Sequence, residues 1–199
     1  MASSVNETRK AVRSYVIDAW KSRFQVKASA SGMLSPFGHN PLISIPNFIG
    51  EAWFPPQTPE HSSLRVVIDA GAVEVANDVS SKERRDMERV MKADVLETER
   101  YPEIRFEGAA ARADQIAEGI YRISIAGTLT LHGAQRAVQV PCNVIVSDDS
   151  LRANGEFSIR QTDYGIRLVS VAGGTLKLKD ELKLTFDVFA HRSWAVGTA

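Results

Sequence analysis

The stretch IYRISIAGTLTL, residues 120–131, carries the clearest pattern in this sequence of 199 residues. Apolar side chains recur at alternate positions, at Tyr121, Ile123, Ile125 and Leu129, with mostly polar residues between them. A period of two places alternate side chains on opposite faces of a β-strand. The stretch therefore predicts a long strand with one buried face.

The same alternation recurs on both sides of this stretch. It is found in residues 24–28, 42–54, 64–75, 104–106, 138–146, 151–159 and 182–188. About eight strands joined mostly by short turns, without strand–helix alternation, favour an antiparallel sheet over a parallel one. Closing such a sheet into a barrel removes its exposed edges, and eight strands enclose room for one small ligand.

One segment, residues 80–96, has a helical pattern. Ser80 and Glu83 fit a capping box, in which each side chain satisfies a backbone N–H of the first turn. Four apolar residues follow at helical spacing: Met87, Val90, Met91 and Val95. We therefore predict one α-helix of about four turns, and Pro102 prevents it from continuing.

Composition excludes several classes of protein. Lys and Arg number 24, and Asp and Glu also number 24, so the basic excess typical of a nucleic-acid binder is lacking. A single cysteine, Cys142, can form neither an internal disulfide nor a multi-cysteine zinc site. No stretch approaches the ~20 apolar residues of a membrane-spanning helix, and no signal peptide is visible. We expect a cytoplasmic protein, or a periplasmic one if a signal has been removed.

Motifs for catalysis and metal binding are weak. The four histidines show no HExxH or HxH spacing, and no GxSxG elbow is present. We therefore predict no metal, no cofactor and no enzymatic activity. The enzymatic alternative would use His39 or Tyr164 as an acid–base group at the mouth of the barrel.

Several short motifs resemble, in the same order, those of the YceI-like family. They are YVID (15–18), FIG (48–50), SSLRVVID (62–69), RD (85–86), RYP (100–102) with Phe106, GTLTLHG (127–133) with RAV (136–138), and FSIR (157–160) with DYGI (163–166). The resemblance covers residues 15–190. Four residues depart from the family pattern: Glu88 replaces a frequent His, Val95-Leu96 replaces two Phe, and Tyr164 replaces a Phe.

The resemblance implies a fold and a function. The fold would be an extended lipocalin-like, eight-stranded antiparallel β-barrel formed by residues 15–191, between a frayed segment 1–14 and a tail 192–199. The barrel would hold a polyisoprenoid, an isoprenoid quinone or a fatty-acid derivative for transport or storage, and the protein would form a homodimer. The alternative is a filled barrel that acts as a structural or interaction module.

The side chains expected to bind the hydrophobic ligand lie mostly on the inward faces of the predicted strands, with Phe37 in the first loop and Tyr164 in the motif DYGI (163–166) after a strand. They are Phe24, Val26, Phe37, Ile43, Phe48, Val66, Phe106, Ile123, Ile125, Phe157, Tyr164 and Phe186. His39, in a loop bounded by proline and glycine, is a candidate contact for the polar head group.

Overall fold

The computed structural model describes residues 13–31, 40–168, 170–171 and 176–193. Most of the chain within these ranges is β-structure. The strands are β1 (Arg13–Ile17), β2 (Arg23–Ser31), β3 (Leu42–Ser44), β4 (Phe48–Phe54), β5 (Ser63–Asp69), β6 (Glu74–Val75), β7 (Glu103–Ala117), β8 (Ile120–Leu131), β9 (Ala134–Val146), β10 (Ser150–Arg160), β11 (Ser170–Val171) and β12 (Leu176–Arg192). Helix α1 (Ser81–Val90) continues into a π-helical turn, Met91–Val95.

Eight of these strands form a closed ring. Hydrogen-bonded neighbours run in the order β1-β4-β5-β7-β8-β9-β10-β12, and β12 pairs again with β1, all antiparallel. The predicted fold class, a mainly β protein built on an eight-stranded antiparallel barrel with one helix of about four turns, is confirmed.

The longest strand, β12, pairs with two strands along one of its edges. Ala190–Arg192 pair with β1, and Leu182–Asp187 pair with β2. Strand β2 pairs in turn with β3, and β3 with β6, so the sheet extends past the point where the barrel closes.

The alternation of apolar and polar residues from 64 to 75 predicts one strand, but the structure divides this segment into β5 and β6. The reason is local: the carboxylate of Asp69 accepts a hydrogen bond of 2.9 Å from the N–H of Gly71 and turns the chain.

The register of β8 places its apolar series inside the barrel. Ile123 lies opposite Cys142 of β9, and Ile125 lies opposite Val140. Tyr121, Ile123 and Leu129 are buried, as the alternation predicts. The inner face that the barrel presents to its cavity is therefore fixed by the period-two pattern.

Helix α1 packs beside β6 and starts with the predicted capping box. The hydroxyl of Ser80 accepts from the N–H of Glu83, whose carboxylate accepts from the hydroxyl of Ser80 at 2.6 Å and from its N–H at 3.0 Å. The two bonds that the carboxylate accepts, the one from the hydroxyl first, lower the pKa of Glu83. Farther along, the carboxylate of Glu88 accepts a 3.0 Å hydrogen bond from the N–H of Val75. This bond ties the helix to the sheet extension.

The ladder between β9 and β10 stops half-way, at the pair Cys142 and Gly155. The carbonyl of Pro141 is directed at Gly155. The N–H of a strand residue points to the same side as its carbonyl, and proline has no N–H, so a donor to β10 is missing at this position. Beyond it, among the described residues, β9 pairs only with β8 and β10 only with β12.

The one-turn helix Gln161–Tyr164 follows β10 and is held by Asp180 of β12. The Asp180 carboxylate accepts hydrogen bonds from the backbone N–H of Thr162 at 2.9 Å and its hydroxyl at 2.7 Å, and from Nε of Arg160 at 2.9 Å. These bonds, those from Thr162 first, lower the pKa of Asp180 to about 2. The carboxylate therefore fixes this turn in its charged form.

We expect the stabilising effect of Asp180 to depend on pH. Because folding lowers its pKa from 3.8 to about 2, the native protein binds fewer protons than the unfolded chain within this window. The contribution of Asp180 to stability is complete above pH 3.8 and is lost as the pH falls from 3.8 to about 2. Asp180→Asn should lower the melting temperature by a few degrees at neutral pH and by almost nothing near pH 2. Asp163→Asn, in the same turn, is the control; an equal pH dependence in both variants would contradict the assignment.

Candidate ligand cavity

The barrel encloses a cavity of about 510 Å³. Its surface is formed almost entirely by apolar atoms of the inner strand faces and of helix α1. The volume falls within the ~300–1,000 Å³ of small-molecule sites in proteins. The described part of the barrel is therefore hollow, which disfavours the filled-barrel alternative.

Most of the side chains predicted to bind a ligand line this cavity. They are Phe24, Val26, Ile43, Val66, Phe106, Ile123, Ile125, Phe157 and Phe186. They come from seven different strands, so the fold brings together residues that are far apart in the sequence. That they bind a ligand stays a prediction.

The other four predicted residues are placed differently. Phe48 is buried behind the lining, with its ring edge-on to Phe24 at a centroid distance of 4.8 Å. Tyr164 lies in the turn after β10 and lines a cleft outside the cavity. Phe37 and His39 lie outside the described residues.

Helix α1 supplies part of the cavity lining that we did not predict from the sequence. Met87, Val90, Met91 and Val95, the four residues at helical spacing, all line the cavity, together with Leu96. Their spacing in the sequence shows that they share one face of the helix, but not that this face lines the cavity. Leu96 and Met91 also pack against the cluster of Phe48 and Val66, which anchors the helix to the strands.

The cavity lining carries almost no charge. Among the described residues that line it, Asp86 on the exposed side of the helix is the only charged one, and none is Lys, Arg or His. Burial raises the pKa of the Cys142 thiol to about 11, so this lining residue is neutral at physiological pH. The site is built to hold uncharged, apolar groups.

Two buried polar side chains of the described chain reach the cavity surface. Gln161 donates a 3.0 Å hydrogen bond from Nε2 to the carbonyl of Lys179. Ser62 is also buried, but its hydroxyl has no hydrogen-bond partner among the described residues. The same described residues contain no group of three His, Cys, Asp or Glu side chains placed to hold a metal ion.

Comparison with known families decides the identity of the domain. A family model for the YceI-like domain matches residues 15–190. The chain belongs to the YceI-like family. No curated protein has a sequence that matches this chain significantly. Within the described residues, no helix is long and apolar enough to cross a membrane.

Solved structures share the fold of this YceI-like domain. BcnA from Burkholderia cenocepacia is 17% identical, with a TM-score of 0.64, and the match covers 87% of this chain and 98% of that one. A polyisoprenoid binding domain from Saccharophagus degradans, implicated in plant cell wall breakdown, is 16% identical, with a TM-score of 0.63 and coverage of 90% and 98%. A YCEI protein from Campylobacter jejuni is 16% identical, with a TM-score of 0.56 and coverage of 81% and 88%.

Tyr164, where the YceI-like pattern has Phe, lines a second cleft of about 430 Å³. This cleft lies where β9 and β10 separate, and Arg136, Arg160 and Asp163 also line it. Burial raises the pKa of the Tyr164 hydroxyl, and the charge of Asp163 raises it further against the opposing effect of Arg136. Tyr164 is therefore a protonated, buried phenol.

We expect Tyr164→Phe to stabilise this YceI-like domain. The Tyr164 side chain is 2% exposed and its hydroxyl has no partner among the described residues. A buried, unsatisfied hydroxyl costs about 1–3 kcal/mol, so its removal should raise the free energy of unfolding by about 1–2 kcal/mol in urea titrations. Tyr121→Phe is the matched control, because Tyr121 is similarly buried but its hydroxyl is not among the unpartnered ones. A loss of stability in Tyr164→Phe would show that the hydroxyl is satisfied.

Proposed function

We propose that this YceI-like domain is a non-catalytic binding protein that holds a long-chain amphiphile in its barrel. The observation that supports the proposal most directly is the apolar cavity of about 510 Å³. Burying apolar ligand surface yields about 25 cal/mol per Å², so a chain without hydrogen-bonding groups can bind tightly to such a lining. The polyisoprenoid binding domain from Saccharophagus degradans has the same fold, which supports a polyisoprenoid as the ligand class.

The volume of the cavity limits the length of chain that it can hold. An apolar cavity of about 150 Å³ binds one benzene molecule. A cavity of about 510 Å³ therefore accommodates roughly three such six-carbon units, or about 18 carbons. An isoprenoid chain of three or four units fits inside, and we expect a longer chain to project from the barrel.

An enzymatic role is the less favoured alternative. It requires an acid–base group in contact with a bound substrate, and the titratable groups among the described lining residues are Cys142 and Asp86. The thiol is held protonated by burial, and the carboxylate lies at the exposed edge of the helix. Tyr164, one of the two candidates from the sequence, lines the second cleft and not the cavity.

Native mass spectrometry of the purified protein, combined with a solvent extract, tests the proposal. A stoichiometric apolar adduct is the expected result, and its mass gives the chain length. The purified protein is also incubated with a 15-carbon prenyl alcohol, which should add at one molecule per barrel. A spectrum of the ligand-free mass alone, unchanged after this incubation, would overturn the proposal.

Transport and homodimer formation stay predictions. Light scattering at micromolar concentration should give twice the chain mass if the domain dimerises. Transfer of a fluorescent isoprenoid from protein to lipid vesicles would separate a carrier from a storage protein.

A further inference from the structure

Ser62 is the one buried residue of the cavity lining whose polar side chain is left unsatisfied among the described residues. Its backbone groups are both used: the N–H donates to the carbonyl of Pro59 at 3.1 Å, and the carbonyl accepts from the N–H of Ala110 at 2.8 Å. The residue is only 8% exposed. The hydroxyl is therefore the remaining group of Ser62 that can bind something new.

The strand pattern directs this hydroxyl into the barrel. Ser62 comes immediately before β5, in which Leu64, Val66 and Ile68 line the cavity. Ser62 is in an extended conformation and continues the same period-two series, so its side chain projects to the same side. Its neighbours in the inner layer are Phe54 of β4 and Ala110 of β7, according to the register of these strands.

Water does not readily satisfy a hydroxyl in this position. A buried water needs about two to four polar partners, and the side chains of Phe54, Leu64 and Ala110 offer none. Leaving the hydroxyl unsatisfied has a free-energy cost, which a ligand oxygen would remove. The position thus favours a ligand that brings its own hydrogen-bonding atom to this end of the cavity.

From these observations we infer that Ser62 binds a neutral oxygen-bearing group of the ligand, such as a prenyl alcohol hydroxyl, a quinone carbonyl or an amide. A serine hydroxyl can donate and accept, so each of these groups is a suitable partner. A diphosphate or carboxylate is not, because no described lining residue is Lys, Arg or His and burial of an unpaired charge is far more costly. The inference rests on the proposed function and specifies the ligand's polar group and its orientation.

Paired ligands test the inference in the full-length protein. Binding of a 15-carbon prenyl alcohol and of the hydrocarbon with the same skeleton is measured by displacement of a fluorescent apolar reporter. Ser62→Ala should weaken binding of the alcohol by about tenfold and leave that of the hydrocarbon unchanged or stronger. Ser62→Thr keeps the hydroxyl and should retain the preference for the alcohol. Ser124→Ala is the control, since Ser124 lies on β8 between two lining residues but does not line the cavity.

The outcomes separate the two proposals. Equal effects of Ser62→Ala on both ligands, or no effect on the alcohol, would overturn the role of Ser62 and leave the binding function intact. If the 15-carbon prenyl diphosphate binds more tightly than the alcohol, and Ser62→Ala weakens its binding, the inference that Ser62 binds a neutral group is overturned. If wild type binds neither the alcohol nor the hydrocarbon, the proposed function fails, and the role of Ser62 fails with it.

Discussion

Replacing Ala153 with tryptophan is expected to abolish ligand binding and leave the barrel folded. Ala153 lies on β10 and lines the cavity, packed against the cluster that contains Leu151 and Val144. An indole at this position projects into empty space and displaces part of the bound chain. If four or five methylene groups lose their contacts at about 0.8 kcal/mol each, affinity falls by several hundredfold or more.

The same substitution on the outer face provides the control. Ala126 of β8 is exposed and does not line the cavity, so Ala126→Trp should bind the 15-carbon prenyl alcohol as wild type does. Stability is measured in parallel by urea unfolding, because filling a cavity adds contacts and should not destabilise Ala153→Trp by more than about 1 kcal/mol. Unchanged binding by a folded Ala153→Trp would mean that the ligand site is elsewhere.

The inner strand faces could be predicted from the sequence because alternation fixes one face of each strand. Ile123, Ile125 and Phe106 are examples, since a single buried face leaves only one register for the apolar side chains. Alternation does not show, however, whether an inward side chain reaches the cavity surface. Phe48 belongs to the inward series of β4, but the ring of Phe24 covers it.

Features that depend on tertiary contacts were not predictable in the same way. The apolar face of α1 was visible in the sequence, but its role as part of the cavity lining depends on how the helix packs against Phe48 and Val66. Tyr164 comes after the inward series of β10, and alternation does not give its position because the hydrogen bonds of Asp180 turn the chain at Thr162. Pro141, by contrast, indicates the gap between β9 and β10 in the sequence itself, because a proline within a strand lacks the backbone N–H that would donate to the neighbouring strand.

Substituting Gly127 with alanine is expected to destabilise the barrel more than any other single methyl group added to this stretch of β8. A Cβ atom at Gly127 would lie 2.5 Å from the carbonyl oxygen of Glu107 and 2.6 Å from the ring of Phe106. Neither neighbour can yield easily, since the carbonyl belongs to the paired strand β7 and the ring packs over Gly127 to form part of the cavity lining. Overpacking of this kind costs about 1–3 kcal/mol, and a backbone clash places Gly127→Ala at or above the upper end.

Gly71→Ala separates this steric effect from the general effect of replacing glycine. Gly71 is exposed, and a Cβ there would meet only the carboxylate of Asp69, at 3.3 Å, so the change should leave the free energy of unfolding equal or up to about 1 kcal/mol higher. The unfolding of both variants is measured in urea, together with binding of the prenyl alcohol.

Because Gly127→Ala can relieve its clash only by moving the Phe106 ring, the fraction that remains folded should also bind the alcohol less tightly. Equal stability of the two variants would contradict the close approach of β7 and β8 at Gly127, and with it the position of Phe106 in the cavity lining.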